Sequence, residues 1–176
     1  MTNHYIADTK VTDAGLADLT RLTGLRKLKL GNTRTTDAGL AYLKGLESLE
    51  DLDLSGTGVT DAGIAHLTNL MQLTSLNLDR TKTTDAGLAH LKGLANMWVL
   101  QLDSTGVTDV GLVHLQDMAD LRILTLSETT VTDAAIPHIK KLAALRVLGL
   151  VGTEVTELGL TELVESFPGL ILIPAM

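Results

Sequence analysis

The sequence predicts an α/β solenoid, with parallel strands on its concave side and helices on its convex side. Three observations carry that expectation. A Thr followed by an acidic residue recurs at Asp13, Asp37, Asp61, Asp85, Asp109, Asp133 and Glu157, every interval being 24 residues. Such self-similarity at a fixed period marks a stacked-repeat architecture. Within each period one half alternates, as a strand does, and the other repeats every three residues, as a helix does. Finally, the chain of 176 residues is 45% hydrophobic but only 2% aromatic, so its core is built from Leu, Ile, Val and Ala. A core without aromatic bulk suits one repeated shape, filled layer by layer.

One unit runs Leu49-x-x-Leu52-x-Leu54-x-x-Thr57-x-Val59-Thr60-Asp61-Ala62-Gly63-Ile64-Ala65-His66-Leu67, followed by Leu70. Leu52 and Leu54 have strand spacing; Ile64, Leu67 and Leu70 have helix spacing. A strand and a helix in every unit give parallel strands joined by crossovers. Strands stack about 4.7–4.9 Å apart, whereas packed helices need about 8–10 Å. The stack is therefore expected to curve into a horseshoe. Thr12, Thr36, Thr60, Thr84, Thr108, Thr132 and Thr156 suit the helix N-cap, and the acidic residue after each suits the positive end of the helix dipole. Gly15, Gly39, Gly63, Gly87, Gly111 and Gly159 fall in the first helical turn. Glycine costs about 1 kcal/mol there against alanine, so a neighbour must approach too closely for a side chain. Ala135 is the exception, and Pro137 two residues on predicts a sixth helix that starts late or bends.

The array reads as a single domain over residues 1–176. A partial N-terminal unit over 1–10 places His4 and Ile6 at strand positions, then Thr9 and Val11. A capping unit over about 157–176 carries a last helix with Leu160, Leu163 and Val164, a turn at Phe167-Pro168-Gly169, and a closing strand from Leu170 to Ile173 that Pro174 stops. About seven parallel strands are expected. A bare N-terminal edge strand invites pairing with another chain, which gives a weak homodimer as one expectation and truncation of a longer protein as the other.

The pattern L-x-x-L-x-L-x-x-N/C-x-L is met at Leu25-x-x-Leu28-x-Leu30-x-x-Thr33 and in the following units. Across essentially the whole chain the sequence resembles the leucine-rich-repeat family. Its T-D-A-G-L helix starts are similar to the ribonuclease-inhibitor-like branch, in 24-residue units of bacterial type, and to the repeats of F-box substrate receptors. No F-box-like helical segment accompanies them, so the ligase-receptor role does not carry over. The resemblance implies a binding module rather than an enzyme. One departure is uniform: Thr9, Thr33, Thr57, Thr81, Thr105, Thr129 and Thr153 stand where the family has Asn or Cys. A buried structural Thr column, bonded to neighbouring backbone, is expected.

Composition narrows the function classes. A formal net charge of −7 and a pI near 5.1 argue against nucleic acid, whose binding proteins carry a basic footprint. There is no cysteine, hence no disulfide framework and no thiolate metal site. Met1-Thr2-Asn3-His4-Tyr5 lacks the basic and apolar regions of a signal peptide, and no apolar run is long enough to span a membrane. A cytoplasmic location is the default, which a secreted protein trimmed of its leader would mimic. His66, His90, His114 and His138 share one helix position, but so do Asp18, Tyr42 and Glu162. That column reads as a solvent-facing polar position rather than a metal ladder. No catalytic constellation, cofactor site or metal site stands out.

Differences between units fall on the concave face. Arg26, Lys27 and Lys29, with Gly31 and Asn32, lie beside Glu50, Asp51 and Asp53. Three cross-strand pairs are expected, Arg26 with Glu50, Lys27 with Asp51 and Lys29 with Asp53, each contributing about 0.2–1 kcal/mol. The C-terminal half is apolar instead, with Trp98, Val99, Gln101, Arg122, Ile123, Arg146, Val147 and Val151 as the candidate partner-binding residues. Interface hot spots favour Trp and Arg. Protein–protein recognition through this face is the leading expectation. The alternatives are a self-assembling structural fragment and a substrate-selecting segment of a larger enzyme.

Overall fold

A computed structural model describes residues 2–173; Pro174, expected to stop the last strand, lies outside them. The chain winds a single parallel sheet of eight strands in sequential order. They are β1 (Thr2–Tyr5), β2 (Leu25–Lys29), β3 (Asp51–Asp53), β4 (Ser75–Asn77), β5 (Val99–Gln101), β6 (Ile123–Thr125), β7 (Val147–Gly149) and β8 (Ile171–Ile173). From β2 to β8 the register never slips: Leu28 pairs Leu52, Leu76, Leu100, Leu124, Leu148 and Leu172 in turn. An unbroken 24-residue repeat leaves the strands no other register that keeps leucine inside. The sheet and the helical segments opposite it make a leucine-rich-repeat solenoid.

The helical side is thinner than the sequence suggests. α1 (Asp13–Leu16), α2 (Asp37–Leu40) and α3 (Asp61–Ile64) are single turns that continue as 3-10 helix through Arg21, Leu43 and Leu67. Only α4 (Asp85–Leu91) and α6 (Glu157–Ser166) run longer. The reason lies in the three-residue spacing of Ile64, Leu67 and Leu70. A 3-10 helix eclipses residues three apart, so this spacing points all three inward, and all are fully buried. The sixth coil starts late, as Pro137 requires: Asp133–Ala135 is 3-10, and α5 (Ile136–Ile139) follows with proline in its first turn.

The core is a column of leucines shared between coils. Leu52, Leu54, Leu67, Leu70 and Leu73 are all inaccessible, with Met97 filling the Leu73 position and Met118 the Leu70 position in later coils. The Thr column is structural in the middle of the array. Thr33, Thr57, Thr81 and Thr129 are buried, Thr105 and Thr153 half-buried, and Thr9 exposed. Each hydroxyl donates to the carbonyl three residues back, as Thr57 does to Leu54 O at 2.6 Å and Thr129 to Leu126 O at 2.5 Å. The column thus ties each coil to itself.

Coils are tied to one another by the acidic column. Asp37 Oδ1 accepts from Thr60 N and Oδ2 from Thr60 Oγ1, both at 2.7 Å. The same two bonds join Asp13 to Thr36, Asp61 to Thr84, Asp85 to Thr108, Asp109 to Thr132 and Asp133 to Thr156. This corrects the expectation that the carboxylates serve the helix dipole. Capping by the Thr hydroxyls is real but secondary: Thr60 accepts from Ala62 N at 3.3 Å, whereas Thr12 and Thr36 make no such bond. The first-turn glycines now have their cause. A Cβ on Gly63 would fall on Asp37 Oδ1 and lie 3.2 Å from Asp37 Cα. Gly15, with no coil before it bearing an Asp, meets only Val11 Cγ1 at 3.4 Å. Ala135 is accommodated in the 3-10 segment, and Asp109 below it keeps both Thr132 bonds at 2.8 Å.

Candidate functional site: the strand face

Alternation along β2 to β8 turns every second side chain out of the core, so the outward residues stack into columns one strand apart. In the N-terminal half these columns are charged. Arg26 pairs with Glu50, its Nε 2.8 Å from Oε1, and Lys27 lies 4.0 Å from Asp51. The third expected pair does not form. Lys29 reaches back diagonally to Asp51 at 2.7 Å, while Asp53 Oδ1 accepts from Ser55 N at 3.0 Å and Ser55 Oγ at 2.8 Å. These charges neutralise one another within the sheet.

The apolar column is continuous. Val99, Ile123 and Val147 stand in register, and Ile171 extends them. The three inner residues are half-buried against each other, whereas Ile171 is 61% exposed. Just before them, Trp98, Arg122 and Arg146 form a second column through Arg122 N to Trp98 O and Arg146 N to Arg122 O, both 2.9 Å. The Arg122 guanidinium lies over the Trp98 ring, 4.4 Å from its centroid. That is cation–π range, and Trp98 remains 48% exposed. Arg146 Nη1 donates to Leu145 O at 2.7 Å.

Gln101 and Val151 lie on the other flank. Gln101 registers with Thr125 and through it with Gly149; Val151 follows β7, half-buried, its carbonyl accepting Glu128 N at 2.7 Å. Trp98, Val99, Arg122, Ile123, Arg146 and Val147 therefore form one contiguous surface, with Gln101 and Val151 at its margin. Sequence reading missed Ile171 and Ile173, which it treated as a closing strand. Their alternation with Leu172 was the available signal.

Two further features had no sequence signal of their own. An aspartate row follows the strands: Asp79 Oδ1 accepts Asp103 N at 2.8 Å, and Asp103 Oδ1 accepts Ser127 N at 2.7 Å. Burial, with the neighbouring Asp103 and Asp53 charges, pushes the Asp79 carboxyl up to about 6, against a lowering by the Asp103 N–H and Arg80. A hollow of about 300 Å³ opens at the strand starts, lined by Glu50, Gln72, Thr74, Asn96, Trp98 and Asp120.

The histidine column is exposed at His90 and half-buried at His66, His114 and His138. Among the described residues no three or more His, Asp or Glu side chains are grouped to hold a metal ion. No described helix is long and apolar enough to cross a membrane.

No family model matches the sequence, and no curated protein is significantly similar to it. Solved structures are similar in fold. An internalin (InlF) from Listeria monocytogenes superposes with a TM-score of 0.74 at 22% identity, over 98% of this chain and 46% of its own. An internalin C2 (InlC2) from the same organism gives 0.73 at 24% identity, over 97% of this chain and 79% of its own. The chain thus spans less than half of the first of these leucine-rich-repeat proteins.

Proposed function

We propose that the protein is a protein–protein interaction module of bacterial type that binds its partner on the C-terminal half of the strand face. The observation that carries this reading is the change of character along a sheet of constant register. Lys27, Asp51 and Ser75 give way to Val99, Ile123, Val147 and Ile171 at the same column position. The leucines behind them stay the same, so core filling does not demand the change. A contiguous apolar strip bordered by Trp98 and two arginines has the composition of an interface core with a polar rim. Partner selection for a larger enzyme would use the same surface. The helix starts favour the ribonuclease-inhibitor-like branch, while the brevity of the helices weighs against it.

The test is comparative capture from the native lysate with wild-type, Ile123→Asp and Lys29→Ala baits, followed by calorimetry on the partner that mass spectrometry identifies. Ile123→Asp and Trp98→Ala should each weaken binding by at least about 2 kcal/mol, as hot-spot truncations do. Lys29→Ala, on the self-paired strand, should change it little. Equal capture by all three baits, or loss only with Lys29→Ala, refutes the assignment.

A further inference from the structure

We propose that the hollow above Thr74 is a receptor slot for a single basic side chain, arginine above all, of the partner protein. This deepens the strand-face reading and rests on it. Glu50, Thr74 and Trp98 hold the same column position in three successive coils, linked by Thr74 N to Glu50 O at 2.9 Å and Trp98 N to Thr74 O at 2.7 Å. Two strand spacings, about 9.5 Å, thus separate the positions of Glu50 and Trp98. Thr74 is too short to fill the space between them. The result is a slot floored by Thr74, with a carboxylate on one wall and an indole on the other. Gln72, Asn96 and Asp120, from a parallel row two residues earlier, form its outer lip.

The chemistry of the lining selects a cation. It holds two carboxylates, an indole and neutral polar groups, and no basic side chain. Arg122, from the coil after Trp98, covers one face of the ring. Trp98 also lines the slot. A cation seated there has the Trp98 ring for a cation–π contact, which acts within about 6 Å of the centroid, and the Glu50 and Asp120 carboxylates in the same lining. Both Arg26 hydrogen bonds to Glu50 fall on Oε1. Asp120 is exposed at the lip and appears in no ion pair. Guanidinium suits the site best, being planar for the ring and forked for a carboxylate. Across a net charge of −7, approach of a basic partner segment is favoured as well.

The protein's single Trp makes the slot its own reporter. The probe is an acetylated, amidated Gly-Arg-Gly tripeptide, titrated against Trp98 emission beside its isosteric citrulline analogue and a neutral trisaccharide. The arginine peptide should give a saturable change in the millimolar range, and the citrulline peptide none. Thr74→Leu, which fills the slot, should weaken the response at least tenfold. So should Asp120→Asn combined with Glu50→Gln, and Asp120→Asn alone, a surface change that spares the fold, should weaken it measurably. An equal citrulline response, a response untouched by Thr74→Leu and Asp120→Asn, or saturation by the trisaccharide alone overturns the proposal. Failure here is distinct from failure of the strand-face reading. If the slot is wrong and the face right, partner binding survives Thr74→Leu and is lost with Ile123→Asp.

Discussion

Removing one carboxylate from the acidic column should loosen the stack out of proportion to its exposure. Asp85 stands mid-array and accepts from Thr108 N at 2.8 Å and Thr108 Oγ1 at 2.7 Å. Hydrogen bonds to a charged group are worth about 1.5–3 kcal/mol each. Thr108 is half-exposed, so water recovers part of that, and the lower end, about 3 kcal/mol for the pair, applies. Alanine returns up to about 0.7 kcal/mol of helix propensity. Asp85→Ala should therefore destabilise by about 2–3 kcal/mol. Urea unfolding followed by circular dichroism and by Trp98 emission measures it, since Trp98 lies in the coil that Asp85 holds. Stability in a solenoid is carried by nearest-neighbour interfaces, so the transition should also broaden, with the two probes separating. Asp18→Ala, an exposed acidic residue in the first helical segment, is the control and should stay within about 0.5 kcal/mol of wild type. An Asp85→Ala midpoint indistinguishable from that control would refute the inter-coil role.

Three other outcomes are expected. Asp79 has a folded pKa raised to about 6 from 3.8, so its favourable contribution is complete below the lower value and lost as pH rises through the upper one. Asp79→Asn should match wild type in melting temperature near pH 4 and exceed it by pH 7; a gap constant with pH would contradict this. Thr129→Val, which deletes the donor to Leu126 O in a residue 4% exposed, should cost about 1–3 kcal/mol in denaturant melts, and an unchanged midpoint would make the Thr column incidental. Edge-to-edge dimerisation through β1 should show as a concentration-dependent mass in light scattering and yield to Tyr5→Pro. Proline at Ile6 would instead remove the bond from Ile6 N to Lys29 O, 3.1 Å, inside the sheet; a mass unchanged by Tyr5→Pro excludes this edge.

The fold was legible because the repeat fixes it many times over. Leucine at two alternating positions sets the strand, its face and its register, and each coil repeats the same instruction. What the period could not show was which partner each recurring side chain finds 23 or 24 residues away. Asp37 lies in a first helical turn, and local reasoning assigns it to the helix end. Only the stacked geometry shows Thr60 presenting both a backbone and a side-chain donor to it. The glycines had announced a close neighbour without naming it. The kind of helix was not legible for a related reason: a spacing of three serves an α-helix loosely and a 3-10 turn strictly.

The site was legible in one dimension only. Column arithmetic placed Val99, Ile123 and Val147 together, since residues 24 apart must stack in register. It could not show the Lys29 ammonium pairing with Asp51 instead of its register partner Asp53, because a long side chain can reach diagonally across the strands. Nor could it value a small residue. Thr74, just before β4, has no distinctive chemistry of its own; its consequence is the space it leaves between Glu50 and Trp98. In a solenoid every outward position has two stacked neighbours, so a short side chain between two long ones is a slot by construction of the lattice. Recognition on such a face is written in the contrast between successive units, and the sharpest contrast among the strand starts, acid to Thr to Trp, is where the hollow opens.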